Sequence, residues 1–432
     1  MTEYKAFTKT FFLWIFSLFL LTAVPEAAHS RIYVDITSPY FQKIPIAVPY
    51  AKTSPGTFEN DLLGRKISDI LSNDLKFHGF FSVLEPERYG GRADADWSKF
   101  RMNYVVRGTL WRSGKSVIAE LKLIDLANGS VIEGRRYKGD IKALRAMAHR
   151  FSNLIVEAIT GESGVSLSKL TFVAQKNRIR EVYSSDFDGF NVKRETFDMG
   201  ITLSPRYSPD GRYVVYTSFR TGKPCLYIKD IKTGEIHRLT AFSGLNIAPA
   251  WHPDSKRLAV TLSKDGNPDI YVVDLNGKIQ AKLTNGPGIN VSPTWSPNGK
   301  RLAFVSDRTG SPQIYVMDLQ DGSVRRITYR GSYNTDPQWS PRGDRIAYSG
   351  RIDGQFQVFT VAPEGGDPVQ LTFKGSNENP SWSPDGRQIM YSSTRLGRYK
   401  ALFVMFANGT GQRMLLHFAK GVTTPHWGPN RF

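Results

Sequence analysis

The sequence predicts an N-terminal α/β domain followed by an all-β, six-bladed β-propeller with four-stranded blades. Three observations carry that reading. The motif P-x-[WY]-x-P occurs six times, with first prolines at Pro205, Pro249, Pro293, Pro337, Pro380 and Pro425, at steps of 44, 44, 44, 43 and 45 residues. A second column, Tyr183, Tyr227, Tyr271, Tyr315, Phe359 and Phe403, keeps a step of 44 throughout. Residues 31 to about 162 show no such repeat and instead mix helical and strand patterns.

A unit of this length cannot bury its own apolar face, so neighbouring units must pack on one another. The unit beginning at Ser292 alternates short β-rich runs (LAFVS, QIYVMDL, VRRIT) with Gly, Pro, Asn and Asp clusters. Strands bounded by turn residues at this pitch read as one propeller blade. Ser296-Pro297-Asn298-Gly299 suits a type I turn, because Pro presets φ at its second position. The aromatic column reads as packing between blades. A third column, Asp186, Asp230, Asp274 and Asp318, reads as turn and strand-end hydrogen bonding. Thr240, Thr284, Thr328 and Thr372 close successive units.

The two main columns are out of phase at the ends. Tyr183 precedes any P-x-[WY]-x-P, and Trp427 has no strands after it. Residues about 167–197 therefore supply three strands of a blade and residues about 421–430 its innermost strand. This composite blade closes the ring and hides edge strands that would otherwise template aggregation.

Ahead of the propeller, residues 1–30 read as a signal peptide, with Lys5 and Lys9 before an apolar run from Phe11 to Val24 and small residues before a cleavage after Ser30. Residues 31–162 form the α/β domain. Strands are expected over Arg31–Ile36, Ile44–Tyr50, Tyr104–Trp111, Val117–Asp125 and Val131–Tyr137. Helices are expected over Phe58–Phe77, with Leu62, Leu63, Ile67, Ile70, Leu71 and Leu75 inward, and over Ile141–Ile159. Gly161–Ser168 reads as a polar linker, and 163–432 as the propeller.

Cys225 is the sole cysteine, so no intramolecular disulfide forms, and it reads as a buried, inert thiol. A signal peptide without disulfides suits a bacterial periplasmic protein. The formal net charge of +18 is scattered through turns, which suits an acidic partner or a polyanion, or simply a solvated basic surface. No nucleic-acid motif is present. No G-x-S-x-G, H-E-x-x-H or G-x-x-x-x-G-K-[ST] occurs, and the dispersed histidines, His252 and His426 among them, lack metal-ligand spacing. The expectation is a non-enzyme with no catalytic residue, metal or cofactor.

One polar column remains. Asn246, Asn290, Asn334 and Asn377 stand three residues before the anchor prolines, in loops that lead into the innermost strands. Each Asn could cap a turn. The residues that follow differ between blades (Ala248, Val291-Ser292, Thr335, Glu378), which favours a binding rim at one mouth of the channel.

The opening RIYVDI…IPIAVPY, with RKISDILSNDLKFHGFFSVLEP and YVVRGTL, and the repeats IAPAWHPDSKRLAV, VSPTWSPNGKRLAFVSDRTG and NPSWSPDGRQIMYSS resemble the TolB family of the Tol–Pal system over the whole length. The resemblance implies a periplasmic monomer that links proteins and carries out no catalysis. It implies that Pal, the peptidoglycan-associated lipoprotein, binds at the channel mouth, with Leu245, Ala248 and Val291 facing it. It implies that TolA, an inner-membrane protein, binds the mature N-terminus, here Arg31, Ile32, Tyr33, Val34 and Asp35. Other outer-membrane proteins are further partners, and the role is outer-membrane integrity during cell division. Leu245 stands where the family pattern leads one to expect His. The competing readings are a propeller lyase or hydrolase and a module that binds cell-wall glycan in the channel.

Overall fold

A computed structural model describes residues 42–53, 58–286 and 288–431. The expected signal peptide, the strand Arg31–Ile36 and the N-terminal segment Arg31–Asp35 lie outside these residues.

The first layer is a six-stranded mixed sheet, in the order Phe81–Leu84, Ile44–Ala47, Tyr104–Ser113, Ser116–Asp125, Val131–Asp140, with Lys52–Thr53 paired on Tyr104–Ser113. Ile44–Ala47 runs parallel to both its neighbours, and the long strands form an antiparallel meander. Helices α1 (Phe58–His78) and α2 (Leu144–Thr160) cover one face and share its apolar core. Leu63, Ile67, Ile70, Leu71 and Leu75 are buried as the spacing requires. Leu62 is not: it is 51% exposed, because its turn neighbours Arg65 and Lys66 place it on the solvent face. The second helix begins one turn later than expected. Asp140 caps a 3₁₀ turn over Ile141–Ala143 by accepting from the Lys142 N–H at 2.8 Å, and α2 follows. The strand Phe81–Leu84 was not anticipated.

The rest is a ring of six four-stranded sheets. Blades one to five have their innermost strands at Thr202–Tyr207, Asn246–Trp251, Asn290–Trp295, Asn334–Trp339 and Asn377–Trp382. The sixth is composite: Val422–Trp427 pairs antiparallel with Lys169–Lys176, which continues into Ile179–Asp186 and Lys193–Arg194. Gly161–Ser168 is no loose linker, since Val165, Ser166 and Ser168 are buried.

The aromatic column stacks first within its own blade wherever the opposed strand residue is aromatic, while Tyr271 faces Val260. Tyr227 lies on Tyr216, Tyr315 on Phe304, Phe359 on Tyr348 and Phe403 on Tyr391, at centroid separations of 5.5–6.0 Å. These are directly opposed cross-strand pairs, the closest approach a sheet offers. The clusters then mix adjacent blades, as where Ile314 and Val316 meet Tyr348 and Phe359. Asp230, Asp274 and Asp318 accept backbone N–H groups two residues on at 2.8–2.9 Å, holding their turns. Asp186 does something else: it binds Lys169, Asn191 and Arg145 of α2.

Antiparallel order puts the first-to-second and third-to-fourth strand turns on one face and the second-to-third turns and inter-blade loops on the other. The α/β layer docks on the former face. Phe77 packs edge-on against Phe187 at 4.8 Å and near Trp427 at 6.1 Å, Arg145 bonds Asp188 at 2.7 Å, and Glu162 bonds Arg387 at 2.9 Å. The Arg413 guanidinium lies over Phe77 and donates to the Phe77 carbonyl at 3.1 Å, and burial there pulls its pKa down to about 10. Among the described residues, no part of the α/β layer packs on the opposite face.

Candidate functional site: the two mouths of the axial channel

The innermost strands surround the axis, and each carries the same distortion. In every blade the register shifts between the second and fifth residue, as between Ile247 and Ala250. The residue before the anchor proline adopts a left-handed conformation: Ser204, Ala248, Ser292, Asp336, Asn379 and Thr424 have φ of 45–55°. A proline disfavours right-handed helical geometry in its predecessor, and the bulge uses the left-handed alternative. No glycine stands at any of the six sites, so each carries about 1 kcal/mol or more of backbone strain, held by the surrounding ring.

At the uncovered mouth the predicted rim divides in two. Leu245, Ala248, Val291, Ser292, Thr335 and Glu378 are half-buried and stand at or just before the starts of innermost strands. Glu378 is held by Lys400 at 2.7 Å and by the Ser376 hydroxyl at 2.9 Å. The four asparagines are different, and the rim reading of them is corrected: Asn246, Asn290, Asn334 and Asn377 are at most 1% exposed. Their amides face into the blades. Asn290 Nδ2 donates to Asp269 at 2.9 Å, Asn334 Nδ2 to Gln313 at 2.8 Å and Asn377 Nδ2 to Gln357 at 2.8 Å. The same three oxygens each accept the Thr column, from Thr284, Thr328 and Thr372 at 2.8 Å. Those hydroxyls in turn accept a strand N–H. Glu181 is the acceptor for Thr196 in the composite blade. A buried polar group must be partnered, and this network partners the Nδ2 groups of Asn290, Asn334 and Asn377. Cys225 occupies the acceptor position in blade one, the Thr240 hydroxyl has no partner among the described residues, and Asn246 bonds the Phe242 backbone instead.

At the covered face the channel widens into a cavity of about 350 Å³ lined by all six P-x-[WY]-x-P motifs. The Trp indoles stitch its wall: Trp251, Trp295 and Trp382 donate from Nε1 to the carbonyls of Arg206, Ala250 and Gln338 in the preceding blade at 3.0–3.2 Å. The variable x residue of each motif (Arg206, Ala250, Thr294, Gln338, Ser381, His426) lies on this wall. Burial lowers the Arg206 guanidinium to about 10. Burial, and the neighbouring Arg206 charge, hold His426 well below the ordinary histidine range. Asp336, near the far mouth, is pushed up by burial and by Glu378, and it bonds Asn379 at 3.0 Å and Ser349 at 3.2 Å.

No nucleophile–base pair lies in the channel among the described residues. A possible three-ligand metal cluster among them, Asp74, His149 and Asp188, sits between the two layers and away from the axis. No helix among the described residues is long and apolar enough to cross a membrane.

Comparison with known proteins agrees with this architecture. A family model described as the TolB beta propeller domain matches residues 156–431, and one described as the TolB amino-terminal domain matches residues 32–132. The chain is similar to the Tol-Pal system protein TolB of Desulfotalea psychrophila, 36% identical over 209 residues, covering 48% of each chain. It is similar to that of Desulfosudis oleivorans, 39% identical over 223 residues, covering 49% of this chain and 51% of the relative. The matches thus span about half the length of these curated relatives. The crystal structure of TolB from Acinetobacter baumannii superposes with a TM-score of 0.79 at 29% identity, covering 90% of this chain and 97% of that one. With both family models matched in order along it, the chain belongs to the TolB family.

Proposed function

We propose that this protein is a non-enzymatic periplasmic scaffold of the Tol–Pal system. In this reading the uncovered channel mouth docks the lipoprotein Pal, and the mature N-terminus, Arg31–Asp35, engages TolA. A leader over residues 1–30 is removed after Ser30, leaving an α/β domain over 31–162 and a propeller over 163–432. The partnership supports outer-membrane integrity during division.

The observation that carries the reading is where apolar surface is left uncovered. Among the described residues, Phe197, Met199, Ile201, Ile289, Tyr329, Tyr333, Phe373, Leu396 and Tyr399 are large, apolar and 40–71% exposed. All nine stand on inter-blade loops or second-to-third strand turns, the face opposite the α/β layer. Concentrated exposed apolar surface rich in aromatics, around a concave opening, is the composition of a protein interface. Arg308 and Arg395 on the same turns, which make no ion pair among the described residues, favour an acidic partner. Ala248 sits inside the ring, so Ala248→Tyr narrows the mouth. Immobilised protein should retain a Pal-like lipoprotein from an envelope extract, and the Ala248→Tyr variant should not. Equal retention would place the Pal site elsewhere.

A further inference from the structure

The cavity at the covered mouth is a second site, on the opposite face from the Pal reading and independent of it. Its wall presents hydrogen-bond donors and no acid. Arg206 and His426 are the only Arg, Lys, His, Asp or Glu residues among those lining it. Arg206 makes no ion pair among the described residues, and its guanidinium donates to its own neighbour, from Nη1 to the Pro205 carbonyl at 2.9 Å.

Three further x residues are turned by the adjoining blade. His426 Nδ1 accepts the Tyr207 N–H at 3.2 Å, so the neutral ring carries its proton on Nε2, which has no partner among the described residues. Thr294 Oγ1 accepts the Trp339 N–H at 3.3 Å, and Ser381 Oγ accepts the Trp427 N–H at 2.9 Å, leaving both hydroxyl hydrogens free to donate. Four blades therefore offer a donor to one axial space, one of them cationic. Asp336 is the carboxylate whose charge acts on the half-buried Arg206 guanidinium, but it forms no ion pair with it, so an entering anion would supply the direct contact the guanidinium lacks. The rest of the wall is mainly proline and aromatic rings, with Ser208, Ser296, Ser340, Ser383 and Gln338 between them, and the volume falls at the lower end of small-ligand pockets.

We propose that this cavity binds a carboxylate carried on a narrow, apolar body, with Arg206 as the charge anchor and the His426 Nε2–H, Thr294 and Ser381 as orienting donors. Proline- and aromatic-lined walls suit an extended peptide, so the C-terminus of a peptide is the favoured source and a free organic acid the other.

Calorimetry on the mature protein tests this with three probes: the tripeptide acid acetyl-Ala-Pro-Leu, the same peptide as its C-terminal amide, and succinate. Binding of the acid with about tenfold or greater loss in the amide supports a peptide terminus. Binding of succinate alone supports a free acid. Arg206→Gln should weaken whichever probe binds by about tenfold or more. Thr294→Val, which keeps the side-chain shape, should weaken it by a smaller factor, and the comparison of acid with amide needs no variant should Arg206→Gln not fold. Equal binding of acid and amide, no binding of any probe at 10 mM, or full affinity in a folded Arg206→Gln protein would overturn the proposal.

Discussion

The indole Nε1–H of Trp427 donates to the Ser168 hydroxyl at 2.8 Å, joining residues 259 positions apart. Beside it, Asn430 donates from Nδ2 to the Gly164 carbonyl at 2.6 Å and accepts the Leu167 N–H at 3.0 Å. The innermost strand of the composite blade is thus clamped to the segment that leaves α2. Trp427→Ala should cost about 3–5 kcal/mol, as for other buried aromatics. Ending the chain at Lys420 should lower the melting temperature of the whole ring. Urea unfolding followed by tryptophan fluorescence checks both, and an unchanged midpoint would sink the role of this clasp.

The buried Thr–acceptor–Asn network makes a sharper claim. Gln313→Ala leaves the Thr328 hydroxyl and the Asn334 amide without their shared acceptor. Two orphaned groups should destabilise by about 2–4 kcal/mol, far more than a surface change. Chemical denaturation reads the difference directly.

The docking of the α/β layer should depend on pH. Asp74, buried on α1 and bonded to His149 Nδ1 at 2.7 Å, is raised from 3.8 to about 6, chiefly by burial and against the pull of His149. A carboxyl whose folded pKa lies above its unfolded value stabilises fully below pH 3.8 and loses that contribution as pH rises through about 6. The loss approaches about 3 kcal/mol at most. Stability should therefore decline from pH 4 toward pH 6, and Asp74→Asn should flatten that slope. Melting curves across the window test it, with a slope that survives in Asp74→Asn counting against the assignment.

Tyr329 and Phe373 lie at the uncovered face and are 70% and 71% exposed. Tyr329→Asp with Phe373→Asp should leave the melting temperature nearly unchanged, within about 0.5 kcal/mol per site. The pair should weaken capture of a Pal-like lipoprotein by about tenfold or more. Surface plasmon resonance beside a thermal melt separates the two effects.

The ring was legible because repetition is. A step of 44 in two columns, out of phase at the ends, implies both the blades and their closure. The Asn column was misread because spacing places a residue on a strand without saying where its side chain turns. The signal that would have turned Asn290, Asn334 and Asn377 inward stood two residues before the aromatic column. Glu181, Asp269, Gln313 and Gln357 are polar residues at that position, and Asp269 and Gln313 head mostly apolar strands. The wall of the second cavity was hidden for another reason. Arg206, Thr294, Ser381 and His426 fill the variable position of the motif, and variation between repeats conceals a set of residues whose common property is donating hydrogen bonds. Leu62 shows the same limit on a smaller scale, since an apolar residue one step off the stripe points to water.

Because the sixth blade takes its axial strand from residues 422–427, the toroid cannot shut while the ribosome still holds that strand. Five blades must wait with an open seam until it emerges, so closure of the ring lags behind synthesis of the blades. Any nascent or truncated chain lacking that strand would carry the unpaired edge of Lys169–Lys176, the site where proteases or a second copy would first find purchase.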